Sequence, residues 1–218
     1  LIYSFLGKGK EGDAHMKFFK ENLLDPYAKG YREWNTYKQS MADDYAALKK
    51  QLPNISKTLS NKVKGTSFTN DTAVRVYLWN KAGFDIPGIS KTLKDKLTKQ
   101  VENNPELKEF AEKLSVISRR PEGYIEPSEY WIAQTIGSDL NNIVSKVARK
   151  EFLSEWIDNK NTIFSPENLN KIEAIYGGGF RNALENMLYR MENGTNRTVG
   201  KDVIVNKFLN WVNGSVGA

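Results

Sequence analysis

The chain has 218 residues, a formal net charge of +6, no cysteine and a single histidine. It is long enough to bury a core as one sizeable domain or two small ones, and 39% apolar with 27% charged residues is not the composition of a disordered chain. The absence of cysteine excludes disulfides, thiolate metal sites and cysteine nucleophiles, and one histidine excludes a multi-histidine zinc site.

The N-terminal quarter predicts two amphipathic helices. Asp13 can cap a short helix, and a longer one of about seven turns runs from Asp25-Pro26 to Pro53. Asp25 is the expected N-cap of the longer helix. The apolar residues of this helix recur at helical spacing and fall on one stripe. They are Tyr27, Tyr31, Trp34, Met41, Tyr45, Leu48 and Leu52.

The next region combines a linker and a helix. A lysine-rich stretch at 55–64 is the best linker candidate in the sequence, with a short helix as the alternative. After it, residues 71–82 predict a helix that Asn70 or Thr69 caps and Gly83 ends. The same residues alternate enough to fit a strand, so periodicity alone leaves that alternative open.

Further helices follow at sequence signals for capping and breaking. Ser90 caps one helix, residues 103–105 break it, and a new helix follows. Residues 125–127 open another helix, in which apolar residues repeat every three or four positions. These residues are Ile132, Ile136, Leu140, Ile143 and Val147.

The C-terminal part predicts three more helices. Ser165-Pro166 is a strong start signal, because an N-cap precedes proline at the first helical position. Residues 180–191 carry a clean apolar face, and a last helix is expected at 204–212.

The sequence therefore predicts an all-α fold of about nine to eleven helices. We expect an N-terminal helical arm at 1–64, dominated by the long amphipathic helix, and a more compact helical domain at 65–218 that could be truncated at its C-terminus. The first residue is not Met and the chain stops without a charged tail, so we expect a segment of a longer protein. No run approaches the roughly 18 apolar residues of a membrane span, so no membrane-spanning segment is expected.

Charge is distributed unevenly along the chain. Residues 1–100 contain 18 Lys and Arg against 10 Asp and Glu, whereas residues 101–218 contain 14 against 16. A basic half suggests an anionic partner, DNA or RNA first, and the alternative is a solvated lysine-rich surface.

Aromatic and basic residues alternate at the start of the long helix. Aromatic rings among cations can stack bases beside a phosphate-tracking groove, but here the rings share one face of the helix, which is typical of packing or of a protein partner. The candidate residues for a partner or for nucleic acid are Tyr27, Lys29, Tyr31, Arg32, Trp34 and Lys38.

A second candidate is an anion site at the three consecutive glycines, residues 177–179. Gly178 and Gly179 lead into a helix that carries Arg181, and free N–H groups at a helix N-terminus attract phosphate. Arg197 and Lys201 in the following polar region add positive charge. The alternative is that the glycines only end one helix and connect it to the next.

Catalytic groups are sparse. His15 has no second histidine, and a lone histidine is usually structural or exposed. Glu126, Glu129 and Asp139 could pair as carboxylates, although solvated charge is the simpler interpretation. We therefore predict no catalytic residue, metal ligand or cofactor, while a carboxylate-only Mg²⁺ site stays open from sequence.

Four segments together suggest an origin. They are the sequences at 12–19 (GDAHMKFF), 76–88 (VYLWNKAGFDIPG), 164–169 (FSPENL) and 208–218 (FLNWVNGSVGA). They resemble segments inside very large polyvalent or internal virion proteins of tailed bacteriophages, which are thought to be packaged and delivered with the genome. The resemblance covers most of the chain and supplies no catalytic residues.

The resemblance implies a non-catalytic helical segment of a virion-associated protein that acts through packing and protein interaction. Its partners would then be other segments of a larger parent protein and further virion proteins, in the virion or the host cytoplasm. Two alternatives remain: a helical nucleic-acid-binding module that uses the basic N-terminal half, and a fragment of an enzyme whose site is completed elsewhere.

Overall fold

A computed structural model describes residues 9–197, and over this range the chain is helical without a strand, which confirms the predicted all-α class. The α-helices in chain order are α1 (Gly9–Phe19), α2 (Asp25–Gln51), α3 (Ile55–Ser60), α4 (Asn70–Ala82), α5 (Lys91–Glu102), α6 (Pro105–Ser118), α7 (Ile136–Asn142), α8 (Arg149–Phe152), α9 (Ser154–Ile163), α10 (Pro166–Tyr176) and α11 (Gly178–Asn193).

Three further helical pieces connect these α-helices. Lys20–Leu24 and Ile143–Ala148 are π-helical, and Trp131–Ala133 is a 3₁₀ turn. The π segments join α1 to α2 and α7 to α8 without a break. Counted as continuous helices, the described residues form nine, which is within the predicted range. The helix predicted at 204–212 lies outside the described residues.

The chain forms two compact units. The central unit contains residues 31–148, and the terminal unit combines the described residues up to Gly30 with those from Arg149 onward. This division differs from the expected arm at 1–64, because the residues around 64 belong to the central unit. There the Val63 N–H donates to the Phe68 carbonyl at 2.8 Å, and the Val63 side chain is buried. The stretch predicted as a linker is therefore packed into a domain.

The core of the terminal unit lies where α9, α10 and α11 meet the π segment Lys20–Leu24. Its buried members are Leu23, Trp156, Phe164, Leu184 and Leu188. Within the same unit α2 approaches α8 closely at Gly30. A Cβ at this glycine would lie 2.3 Å from the Phe152 carbonyl oxygen, so a larger residue would force the backbone apart.

The core of the central unit is built around α4. Every residue from Ala73 to Trp79 is buried, because α3, α5, α6 and α7 all contact this helix. A helix that is buried all round has no polar face, so its sequence lacks the contrast that marks an amphipathic helix. This explains why residues 71–82 also fitted a strand pattern, and the helical alternative is confirmed.

Several helix boundaries follow the predicted start and stop residues. The predicted caps Ser90 and Ser165 each accept a side-chain hydrogen bond from the backbone N–H three residues later. Asn104, within the predicted break at 103–105, caps α6 in the same way. Gly83 and Gly194 end α4 and α11 in the left-handed conformation, where a side chain would be strained.

Three predicted helix starts are wrong. Asp13 does not cap a helix, because it lies inside α1, which begins at Gly9. Asp25 is the first residue of α2 but does not cap a free helix end, because the chain is already helical before it and the Asp25 N–H donates to the Lys20 carbonyl in the π segment. The helix expected from Pro127 begins instead at Ile136, where Thr135 forms a capping box with Ser138.

In the residues that the structure describes, no helix combines the length and the apolar character that crossing a membrane requires.

Candidate functional site

The strongest concentration of buried charge is in the central unit. Arg75, in the middle of α4, is completely buried, and its guanidinium forms a two-point ion pair with Asp139 of α7. The distances are 2.5 Å from Nε to Oδ2 and 3.0 Å from Nη2 to Oδ1. The parallel geometry of the two hydrogen bonds is the strongest arrangement of such a pair.

The same guanidinium holds an irregular turn. Arg75 Nη1 donates to the Trp131 carbonyl at 2.8 Å and to the Gln134 carbonyl at 2.7 Å. Its flat face lies 4.7 Å from the ring centroid of Trp79. Because these carbonyls accept from Arg75, the segment before α7 adopts a 3₁₀ turn and not the continuous helix that its apolar spacing predicts.

Tyr124 completes the network. Its hydroxyl donates to Asp139 Oδ2 at 2.8 Å, and its side chain is fully buried. Burial and the neighbouring Asp139 charge raise the pKa of Tyr124 well above its usual value, so the phenol stays a neutral donor. The two carboxylate oxygens of Asp139 thus accept three hydrogen bonds, and Arg75 has acceptors on all three nitrogens.

Asp71 lies one helical turn before Arg75 and faces an open cleft. Its carboxylate accepts from the Ile136 N–H at 3.3 Å. Burial raises the pKa of Asp71, partly opposed by the Arg75 charge and by the Ile136 hydrogen bond. Asp71 is the one carboxylate that lines the cleft, and the Ile136 N–H at the start of α7 is its hydrogen-bond donor.

The cleft has a volume of about 590 Å³, and half of its lining residues carry a hydroxyl group. Its lining residues are Tyr45, Lys49, Ser56, Leu59, Ser60, Ser67, Phe68, Thr69, Asp71, Thr72, Ile132, Ala133, Gln134 and Thr135. Ile132 at its edge is 59% exposed, and the neighbouring Tyr130 is 75% exposed. The turn that Arg75 holds therefore presents two large apolar side chains to solvent.

The aromatic candidates of the long helix make packing contacts. In the terminal unit, Tyr27 lies 5.4 Å from the ring of Trp156, and Lys29 forms a 3.9 Å ion pair with Glu155. In the central unit, Trp34 is buried and its indole N–H donates to the Val144 carbonyl at 2.8 Å.

The remaining candidates of this group surround Trp34. Lys38 lies 5.5 Å above its ring, and the partly exposed Tyr31 lies 5.4 Å from it. Arg32 is exposed on the other side of the helix. The Trp34 ring is thus engaged within the protein, and it is not presented as a platform for bases.

The candidate anion site contains ion pairs. Gly178 and Gly179 are exposed at the start of α11, but Arg181 pairs with Glu173 at 2.6 Å and with Glu185 at 3.0 Å. Arg197 pairs with the same Glu185. Lys201 lies outside the described residues. Since carboxylates already neutralise both guanidinium groups, an incoming anion would have to displace them.

The other titratable candidates are spread apart. His15, Glu126 and Glu129 are exposed, and Asp139 is paired with Arg75 and not with a second carboxylate. Between residues 9 and 197, no group of three or more His, Asp or Glu side chains is arranged to hold a metal ion.

The sequence did not predict that Arg75 and Asp139 form an ion pair, because the two residues are 64 positions apart. The available signal was a lone arginine within the apolar run from Ala73 to Trp79. A charge in such a run must find a buried partner. Asp139 was considered, but as part of a carboxylate group.

No protein-family model matches this chain, and comparisons with curated proteins and with solved structures found no match either.

We predict that Asp139→Asn lowers the free energy of unfolding by about 3–5 kcal/mol, because it leaves the buried Arg75 charge without a counter-charge. Urea unfolding of the full chain, followed by tryptophan fluorescence, measures the change. Glu109→Gln is the control, because it removes an exposed ion pair with Lys113 worth less than about 1 kcal/mol. Equal stabilities of the two variants would contradict the assignment.

We also predict a pH-dependent effect at Glu185. Partial burial of Glu185 is outweighed by hydrogen bonds from Arg197 and Arg181, so its pKa lies below the usual value. A lowered native pKa stabilises the fold above the unfolded-state pKa, and this contribution is lost as the pH falls through the native pKa.

Glu185→Gln should therefore destabilise the protein by about 1–2 kcal/mol at neutral pH and have little effect in acid. Thermal unfolding across this pH range tests the prediction. Glu167→Gln, which removes an exposed pair with Lys171, should change little at any pH. A Glu185→Gln effect that grows towards acid would have the wrong sign.

Proposed function

We propose that this chain is a non-catalytic helical segment of a large virion-associated phage protein and acts through structural packing and protein interaction. The phage origin rests on the resemblance of the four sequence segments. The mode of action is supported by the use of the buried charged groups, because Arg75, Asp139 and Tyr124 are hydrogen-bonded to one another and to backbone carbonyls.

The observation that carries the proposal is the turn at Trp131–Ala133. The carbonyls of Trp131 and of Gln134, just after the turn, accept hydrogen bonds from the buried Arg75 guanidinium. The side chains of Tyr130 and Ile132, on either side of Trp131, are exposed. Rigidly held aromatic and aliphatic side chains lose little entropy on binding, so they suit the centre of a protein interface. The adjacent cleft provides a polar rim of hydroxyl groups.

Mass spectrometry of purified virions from a phage that encodes this chain tests the proposal. We expect the wild-type polypeptide in virions, and a reduced amount of it when Tyr130 and Ile132 are both changed to Ser. Val116→Ser is the matched control, because Val116 is 77% exposed on α6 and not on the turn. Absence of the wild-type polypeptide from virions would refute the virion assignment, and equal incorporation of both variants would refute the role of the turn.

A second candidate function is nucleic-acid binding. The observation that favours it is the distribution of charge, because the whole excess of the basic N-terminal half falls between residues 49 and 99 of the central unit. This segment contains eleven Lys and Arg against three Asp and Glu, whereas residues 1–48 contain seven of each.

A further inference from the structure

The lysines between residues 49 and 99 have no acidic partner among residues 9–197. Of the eleven basic residues in this segment, Arg75 is buried and paired with Asp139. Within the described part of the chain, none of the ten lysines forms an ion pair, and nine of them are exposed. In the terminal unit, by contrast, Lys160, Arg181 and Arg197 are all paired with carboxylates.

The fold brings lysines from two separate stretches together. Lys96 of α5 donates from Nζ to the Gly65 carbonyl at 3.2 Å, which places it beside the loop that carries Lys62 and Lys64. One turn further along α5, Gln100 donates to the Asn70 side chain at 3.1 Å. The loop and the start of α4, which directly follows it, are thus each attached to α5 by one hydrogen bond.

The side chains of this region point in opposite directions. Val63 is buried, and the lysines on either side of it are exposed. On α5, Leu97 and Val101 are buried while Lys96 and Lys99 are exposed on the opposite side. We call the group Lys62, Lys64, Lys96 and Lys99 the lysine face.

The surface beside the lysine face is polar. A shallow depression of about 480 Å³ is lined by Thr92, Asp95, Lys96, Lys99, Gln100 and Asn103, none of which is apolar. The exposed large apolar side chains of the described residues all lie outside the segment 49–99. A membrane surface or a protein partner would need such side chains for insertion or for an interface core.

We propose that the lysine face binds the phosphate backbone of a nucleic acid and does not read its bases. This inference rests on the second candidate function and adds its location and mode of contact. Ammonium groups act as point charges on phosphates, and counterions released from the nucleic acid drive the association. Since no aromatic ring is exposed in the segment, base stacking makes no contribution, and a duplex binds more tightly than a single strand because its charge density is higher.

Fluorescence anisotropy of a short labelled DNA duplex with the full chain tests this inference. If four phosphates are contacted, the Kd should rise roughly a hundredfold as the salt concentration increases from about 50 to about 200 mM. Duplexes of different sequence should bind equally well. The test variant changes all four lysines of the lysine face to Gln, and it should bind at least about tenfold more weakly, with a salt slope flatter by about three to four.

The matched control removes the same charge elsewhere. It changes Lys108, Lys146, Lys150 and Arg190 to Gln, all of which are exposed and outside the segment 49–99. Circular dichroism melting curves establish that both variants are folded. The inference is supported if the control binds like the wild type while the lysine-face variant does not.

The other outcomes overturn specific parts of the inference. Equal weakening of both variants would contradict the location while nucleic-acid binding stands. No binding by the wild type at low salt would contradict nucleic-acid binding altogether. A preference for single strands or for one sequence would contradict backbone-only contact. Equally tight binding to anionic lipid vesicles or to polyglutamate would show that nucleic acid is not the specific partner.

Discussion

A guanidinium group that is withdrawn from water requires buried hydrogen-bond acceptors and a counter-charge, and Arg75 imposes this requirement on the central unit. Asp139 and the carbonyls of Trp131 and Gln134 accept four hydrogen bonds from its three nitrogens, so α4, α7 and the turn between Tyr124 and α7 must adopt one arrangement relative to each other. An apolar residue at position 75 would allow other arrangements of α4, α7 and the turn, because it would not need buried acceptors. The Arg75–Asp139 pair contributes little net stability, because the desolvation of both ions offsets much of their attraction. Its main effect is therefore to select one arrangement of the surrounding segments.

The terminal unit uses a buried arginine in a similar way. Arg149, at the start of α8, is 5% exposed and donates to the Met191 and Glu192 carbonyls at 2.7 and 2.9 Å. These carbonyls belong to the last turn of α11, where unpaired acceptors and the negative end of the helix dipole favour a cation. In both units, therefore, a buried arginine makes a long-range contact to backbone carbonyls at the end of a helical segment.

The parts of the fold that could be predicted depend on contacts between near neighbours. Ser90 and Ser165 can be predicted as caps because a cap binds the backbone three residues away. The turn at Trp131–Ala133 was not recognised, because Arg75 lies 56 positions from Trp131 and its effect is invisible in a local window. The sequence identifies Trp34 and Arg181 as residues that could bind a partner or an anion. It does not show that Trp34 is hydrogen-bonded to Val144, or that Arg181 is paired with Glu173 and Glu185, because those partners are set by the fold.

Charge and burial together give the central unit two different surfaces. The lysine face is exposed to solvent and forms no ion pair with residues 9–197. The turn at Trp131–Ala133, by contrast, exposes apolar side chains on a backbone that Arg75 holds by hydrogen bonds. The first suits a hydrated polyanion and the second suits a protein. Both depend on the stability of the fold around α4, and the turn depends directly on Arg75.

Native-state hydrogen exchange of the full chain tests this dependence most directly. The Gln134 N–H donates to the Trp131 carbonyl, and the Ile136 N–H donates to Asp71, so both amides lie in the segment that Arg75 and α4 hold. If the account is correct, these two amides exchange as slowly as those of Val76 and Leu78 in the centre of α4, because they open only with the whole central unit. Rapid exchange of Gln134 and Ile136, while α4 stays protected, would show that the turn moves independently and would contradict the account.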